Sequence, residues 1–179
     1  RSSESDQYGN LLAVPDTVCA GEQIRRTVHL PACVHGSGAG RSSGKKVFRL
    51  CDIHLDHLGV QARTLGLSQI LKKMDDAVLF AGAPVILAGD FNAEPDGEEF
   101  AVMRERTDYV NYTEGIGITY HGFETEDEPE RIDYIYIKEA KEGYAGLTCN
   151  SVEKWTDRDG EIWLADHYPI CAEFEWTNL

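Results

Sequence analysis

Asp90 and Asn92 stand two residues apart at the end of the apolar run Pro84-Val85-Ile86-Leu87-Ala88. In an extended strand, residues i and i+2 point to the same side. The carboxylate and the carboxamide are therefore expected to face one pocket at the carboxyl end of a buried strand. Layered α/β folds tend to place ligands at such ends. Three other segments carry groups of matching chemistry: Ile53-His54-Leu55-Asp56-His57, Arg131-Ile132-Asp133-Tyr134-Ile135 and Leu164-Ala165-Asp166-His167-Tyr168-Pro169. Hard divalent cations such as Mg²⁺ or Mn²⁺ take oxygen ligands, which Asp90, Asn92 and Asp166 can supply. Histidine carries protons near neutral pH, so His54 and His167 are the proton-handling candidates. A carboxylate on the far nitrogen of an imidazole fixes its tautomer and supports its charged form, and Asp133 is the candidate for that task. Such a set could offset charge on a phosphoryl group, orient a water and take its proton. The chemistry it suggests is metal-assisted phosphoester hydrolysis, with His54 or His167 carrying the proton.

Taken singly, most of these residues are ordinary. Asp90 could start a turn or cap a helix, Asn92 is common turn chemistry, and a histidine on an apolar strand is usually a satisfied core residue. Asp133 is harder to dismiss, because a charge among bulky strand formers is costly unless it is paired. The weight lies in all of them occurring together.

The elements around these residues have the patterns needed to position them. Lys46 to Leu55 alternates as a strand, and Pro84 to Ala88 is a short apolar run suited to a strand covered on both faces. Between them, Leu67, Ile70, Leu71, Met74 and Val78 form one apolar stripe, which predicts a core-facing crossover helix over residues 60–78. Residues 97–106 predict a short helix after a Pro95-Asp96-Gly97 turn, and Ile132 to Ile137 a strand. Trp155 to Trp163 predicts a hairpin turning at Asp157-Arg158-Asp159-Gly160, and Ile170 to Trp176 a half-buried final strand. The Gly- and Ser-rich segment 36–44 and the acidic run Glu124 to Glu130 are expected to be solvated loops. This order gives a layered α/β fold in a single domain over residues 1–179.

The charge of −14 over 179 residues, with Lys and Arg in pairs rather than runs, lacks the basic stripe of a general nucleic-acid binder. A small phosphorylated molecule is the better expected partner than a long polyanion. Five scattered cysteines without a close pair argue against a zinc knuckle and for free thiols in a reducing compartment, so a cytoplasmic location is expected. No run approaches the ~18 apolar residues of a membrane helix. Oligomeric state is not legible.

The successive segments His54-Leu55-Asp56-His57, Gly89-Asp90-Phe91-Asn92, Arg131-Ile132-Asp133-Tyr134 and Asp166-His167-Tyr168-Pro169 resemble, in this order, the signatures of the endonuclease/exonuclease/phosphatase superfamily. The resemblance is good over residues 46–176 and poor over 1–45. It implies a deoxyribonuclease-like four-layer fold, two β-sheets packed as a sandwich and flanked by helices, with the site at one end between the sheets. It also implies that His54 and Asn92 contact the scissile phosphate and that Asp90 positions the attacking water or a metal. His167, supported by Asp133, would be the general base or a phosphate-binding histidine, and Asp166 would help hold the metal. Thr119 and His121, in Ile118-Thr119-Tyr120-His121-Gly122, occupy a stretch resembling a phosphate-contacting segment. Arg63 is expected to be structural or peripheral. The early Glu that serves the family as a metal ligand has no convincing counterpart in Glu4 or Glu22, and the expectation is a chain lacking its N-terminal part. The implied activity is a Mg²⁺- or Mn²⁺-dependent phosphoesterase acting on a phosphodiester or phosphomonoester. A nuclease is the alternative within that chemistry, and an inactive scaffold or binding domain of the same fold is the alternative outside it.

Overall fold

A parallel strand pair needs a long crossover, and a continuous apolar strand needs cover on both faces. Both requirements are met in the computed structural model, which describes residues 46–124 and 128–177. Strand β1 (Arg49–His54) leads into helix α1 (Val60–Asp76), which returns the chain to β2 (Val85–Asp90), parallel to β1. A 3₁₀ turn (Glu98–Phe100) and the short helix α2 (Ala101–Arg104) precede β3 (Tyr109–Asn111) and β4 (Asp133–Lys138). The four strands form one sheet in the order β1-β2-β4-β3, with β4 antiparallel to both neighbours. Register places Asp90 opposite His54 on one side and opposite Asp133 on the other. A second sheet pairs β5 (Leu147–Lys154) with β8 (Ile170–Trp176), and a small hairpin pairs β6 (Arg158–Asp159) with β7 (Ile162–Trp163).

All six residues of β2 are buried because each face of the first sheet has its own core. Val85 and Leu87 pack with Phe91, Tyr134 and Tyr136 under Leu67 and Leu71 of α1 and Phe100 and Met103. Phe91 stacks on Phe100 at 5.6 Å and meets Tyr134 edge-on at 5.3 Å. Ile86, Ala88, Ile135 and Ile137 face the other way, onto Leu147, Ile170, Ala172 and Phe174 of the second sheet. The result is an α/β sandwich of two sheets with flanking helices. Among the described residues those helices cover the first sheet.

Two details differ from the sequence patterns. The helix stops at Asp76, so Val78 lies outside the apolar stripe and is 91% exposed. Asp75 and Asp76 close the helix where its dipole disfavours negative charge. The hairpin turns at Gly160-Glu161 rather than across residues 157–160. Gly160, at φ +61°, is the residue that can open a two-residue hairpin loop, and this leaves Arg158 and Asp159 in the strand. The expected loop 36–44, Cys19, Cys33, Glu4 and Glu22 lie outside the described residues. Cys149 is a free thiol.

Candidate functional site

The site forms where β1, β2 and β4 end together, and Gly89 allows the approach. Gly89 sits at φ +133°, and a Cβ there would lie 2.0 Å from the Ile53 carbonyl oxygen. With no side chain in the way, β1 closes on β2 and brings His54 Nε2 to 3.6 Å from Asp90 Oδ2. Phe91 then turns fully into the core. Asn92 follows at φ +48°, the left-handed region that asparagine tolerates.

Asn92 lies beyond the strand, so pleat alternation is not what joins it to Asp90. The contact is made by a turn in which the Asn92 backbone N–H donates to Asp90 Oδ1 at 2.7 Å. Its side-chain Nδ2 donates to the Leu55 carbonyl at 2.8 Å and to Asp90 Oδ2 at 3.3 Å. In this arrangement Asn92 braces both Asp90 and the end of β1.

His167 reaches the same place from the second sheet. Its Nδ1 lies 2.8 Å from Asp133 Oδ2 and its Nε2 3.9 Å from Asp90 Oδ2. Asp90, Asp133 and His167 offer ligand atoms within 4.8 Å of one another. Burial and the neighbouring Asp133 charge push the Asp90 carboxyl up to about 6, against the pull of the Asn92 N–H and the two histidines. Burial alone would lower His167. The Asp133 hydrogen bond and the charges of Asp133, Asp90 and Asp166 outweigh it, so His167 is raised. Two buried carboxylates beside one imidazole leave an excess of negative charge that a hard cation would offset, and their oxygen donors suit such an ion.

The remaining expected residues hold varied positions. Asp166 is half-buried, and its carbonyl accepts the N–H groups of His121 at 2.9 Å and Gly122 at 3.2 Å. Its carboxylate is not part of the three-residue group. Thr119 is fully buried, and its hydroxyl accepts the backbone N–H of Ile132 and of Asp133, both at 3.0 Å. Its carbonyl accepts the Tyr168 N–H at 2.7 Å, so Thr119 ties the start of β4 to the segment carrying His167. The His121 ring packs against those of Trp163 at 4.2 Å and Tyr168 at 4.4 Å, which themselves lie 5.5 Å apart.

Several contributors had weak or no sequence signals. A lone glycine in an apolar strand signals close backbone approach, and Gly89 carried that signal. Tyr120, whose ring lies 5.0 Å from that of His167, carried none. Arg63 is buried: its Nε donates to Glu99 at 2.6 Å and its Nη1 to the Asp56 carbonyl at 3.0 Å, bracing the loop after His54. No local pattern couples positions so far apart in the chain.

The profile of the Endonuclease/Exonuclease/phosphatase family matches residues 5–167. No curated protein sequence matches significantly. Among solved structures, a functionally unknown conserved protein from Enterococcus faecalis V583 is 27% identical with a TM-score of 0.58, covering 72% of this chain and 50% of that one. An endonuclease/exonuclease/phosphatase from Bacteroides vulgatus is 23% identical with a TM-score of 0.56, covering 69% and 48%. A humanized TDP2 of D. rerio is 25% identical with a TM-score of 0.56, covering 71% and 55%. The chain thus spans about half the length of these structures.

Proposed function

Because the chain belongs to the endonuclease/exonuclease/phosphatase family, we propose that it is a divalent-metal-dependent phosphoesterase in which His167 takes a proton from the attacking water. The observation that carries this reading is the partly buried pairing of His167 Nδ1 with Asp133 at 2.8 Å, with Nε2 turned toward Asp90. Neutral His167 donates its Nδ1–H to Asp133, which leaves the Nε2 lone pair to accept the proton. Asp133 then stabilises the imidazolium that forms. Asp90, fixed by the Asn92 N–H, accepts a hydrogen bond from the same water and aims it. His54, whose side chain is 40% exposed beside Asp90, meets the phosphoryl oxygens from the solvent side.

Asp90 and Asp133 are the carboxylates best placed to hold Mg²⁺ or Mn²⁺, with Asp166 and the Asn92 carboxamide as further oxygen donors. The bound ion supplies charge neutralisation at the phosphoryl group. The substrate best matched to a chain of net charge −14 is a small phosphorylated ester rather than a long nucleic acid.

The test is hydrolysis of bis-p-nitrophenyl phosphate under Mg²⁺ or Mn²⁺ titration. His167→Ala and Asp90→Ala are each expected to lower kcat by at least ~10²-fold. Near-wild-type turnover in both variants overturns the assignment. Metal binding without turnover in the unaltered chain favours a binding domain that retains the fold.

A further inference from the structure

Strand β3 pairs with β4 only at Tyr136, Ile137 and Lys138. Among the described residues, the half of β4 that leads to the site has no strand beside it on that edge. Two threonine hydroxyls stand there instead. Thr113 Oγ1 accepts the Ile135 N–H at 3.4 Å, and Thr119 Oγ1 accepts the N–H groups of Ile132 and Asp133 at 3.0 Å each. Both threonines are fully buried. A hydroxyl oxygen offers two acceptor lone pairs, and in Thr119 backbone donors take both. The backbone of Thr119 is engaged as well: its N–H donates to the Glu130 carbonyl at 2.8 Å, and its carbonyl accepts the Tyr168 N–H at 2.7 Å. One part of this residue therefore grips Asp133, and another grips the residue after His167. Between the two grips lies the 2.8 Å contact of Asp133 Oδ2 with His167 Nδ1.

We propose that Thr119 is a positioning residue: its hydroxyl fixes the start of β4 so that the Asp133 carboxylate meets His167 Nδ1 and holds the imidazole in its Nδ1–H tautomer. The consequence for hydrolysis rests on the phosphoesterase reading, and the consequence for the tautomer does not. A neutral imidazole carries its proton on one nitrogen, and the hydrogen bond made there decides which. Asp133 selects Nδ1 and leaves the Nε2 lone pair facing Asp90. The carboxylate is only as well placed as the backbone that carries it. Without the Thr119 hydroxyl, two buried N–H groups lose their acceptor, and that cost drives the start of β4 toward other partners. A shift of about 1 Å is enough to take a 2.8 Å contact out of hydrogen-bonding range. Thr119 thus acts through Asp133 and His167, without itself touching the substrate.

The test compares Thr119→Val, which keeps the branched shape and removes the hydroxyl, with Thr119→Ser, which keeps the hydroxyl. Proton–nitrogen correlation spectra of the imidazole rings read the tautomer in Mg²⁺ and alkaline buffer, where the ring is neutral, and His167→Gln identifies the His167 signals. The unaltered chain and Thr119→Ser are expected to show Nδ1–H, and Thr119→Val to lose it. With bis-p-nitrophenyl phosphate, Thr119→Val should lower kcat about 10- to 100-fold with KM held within about twofold, while Thr119→Ser stays within about threefold of the unaltered chain. Thr113→Val makes the same change at the neighbouring hydroxyl and should leave the His167 tautomer in place. An Nε2–H ring in the unaltered chain, or Nδ1–H retained in folded Thr119→Val, overturns the proposal. So does loss of Nδ1–H in Thr113→Val as well, which would mean general loosening of β4. Equal impairment of Thr119→Ser would assign the effect to the methyl group, and a raised KM with unchanged kcat to a substrate contact; either overturns it. Should Thr119→Val not fold, Thr119→Cys, whose sulfur is a weak acceptor, takes its place in each comparison. The expected tautomers without hydrolysis by the unaltered chain keep the positioning role and remove the phosphoesterase. Hydrolysis with a tautomer indifferent to Thr119 does the reverse.

Discussion

Replacing Gly89 by alanine tests the close approach on which the site depends. The substitution adds one methyl group and touches no charge. Its Cβ would sit 2.0 Å from the Ile53 carbonyl oxygen, whereas such contacts under 3.0 Å are essentially unknown. The strands must part by about 1 Å to accommodate it, at the residue pair adjoining His54 and Asp90. The backbone adds a second cost, since φ +133° is sparsely populated by any residue with a side chain. Overpacking and backbone strain together come to roughly 2–6 kcal/mol. At about 2–4 °C per kcal/mol for a chain of this size, Tm should fall by at least ~4 °C in a circular-dichroism melt. Hydrolysis should fall as well, because His54 moves away from Asp90. A Tm within about 2 °C of the unaltered chain would refute the argument, since it would mean the strands yield at almost no cost.

Further outcomes follow from other contacts. Glu99→Gln should cost about 3–5 kcal/mol by leaving buried Arg63 without its charge partner, and Arg63→Met combined with Glu99→Leu should recover much of that loss in a denaturant titration. Gly66→Ala should stabilise by about 0.5–1 kcal/mol, because the added Cβ meets only Leu55 at an ordinary 3.5 Å and a mid-helix glycine is removed; no rise in urea midpoint would contradict this. Arg106 and Lys138 form a surface cluster with Asp75 and Asp108 at 2.7–3.0 Å. The Arg106 hydrogen bond chiefly lowers Asp108, and hydrogen bonds from Lys138 and Arg106 lower Asp75 against its burial. Depressed carboxyl values in the folded state mean the unfolded chain binds protons first. The cluster's contribution is therefore present above about pH 4 and is lost as pH falls through the folded values. Half-exposed side chains keep the effect modest, and Asp108→Asn should flatten the fall of Tm between about pH 4 and 2.

The residues that meet at the candidate site could be picked out because they stand at the ends of patterned elements. Asp90 follows an uninterrupted apolar run, and Asp133 opens a strand of aromatic and β-branched residues. Local periodicity captured β1, α1, β2, β4 and β8 to within a few residues. It failed where the decisive contact was not periodic. Asn92 reaches Asp90 through a turn closed by a backbone hydrogen bond, which strand alternation cannot describe. Thr119 supports β4 with a fully buried hydroxyl that accepts two backbone N–H groups, a contact that strand alternation gives no sign of. The Arg63–Glu99 pair and the ring stack around His121 join segments 36 and more than 40 residues apart, and one sequence alone gives no local sign of either.

The pairing of His167 with Asp133 joins the two halves of the sandwich. Asp133 opens β4 of the first sheet, and His167 stands three residues before β8 of the second. The spacing of the sheets is set by the apolar layer of Ile86, Ala88, Ile135 and Ile137 against Ile170, Ala172 and Phe174. The 2.8 Å contact therefore acts as a gauge of how well that layer is packed. A state that kept both sheets but let the layer swell, as expanded compact states do, would lose the His167–Asp133 contact while its far-ultraviolet dichroism stayed nearly native. Under the proposed function, hydrolysis would then be the earliest reporter of loosening in this protein, ahead of any loss of secondary structure.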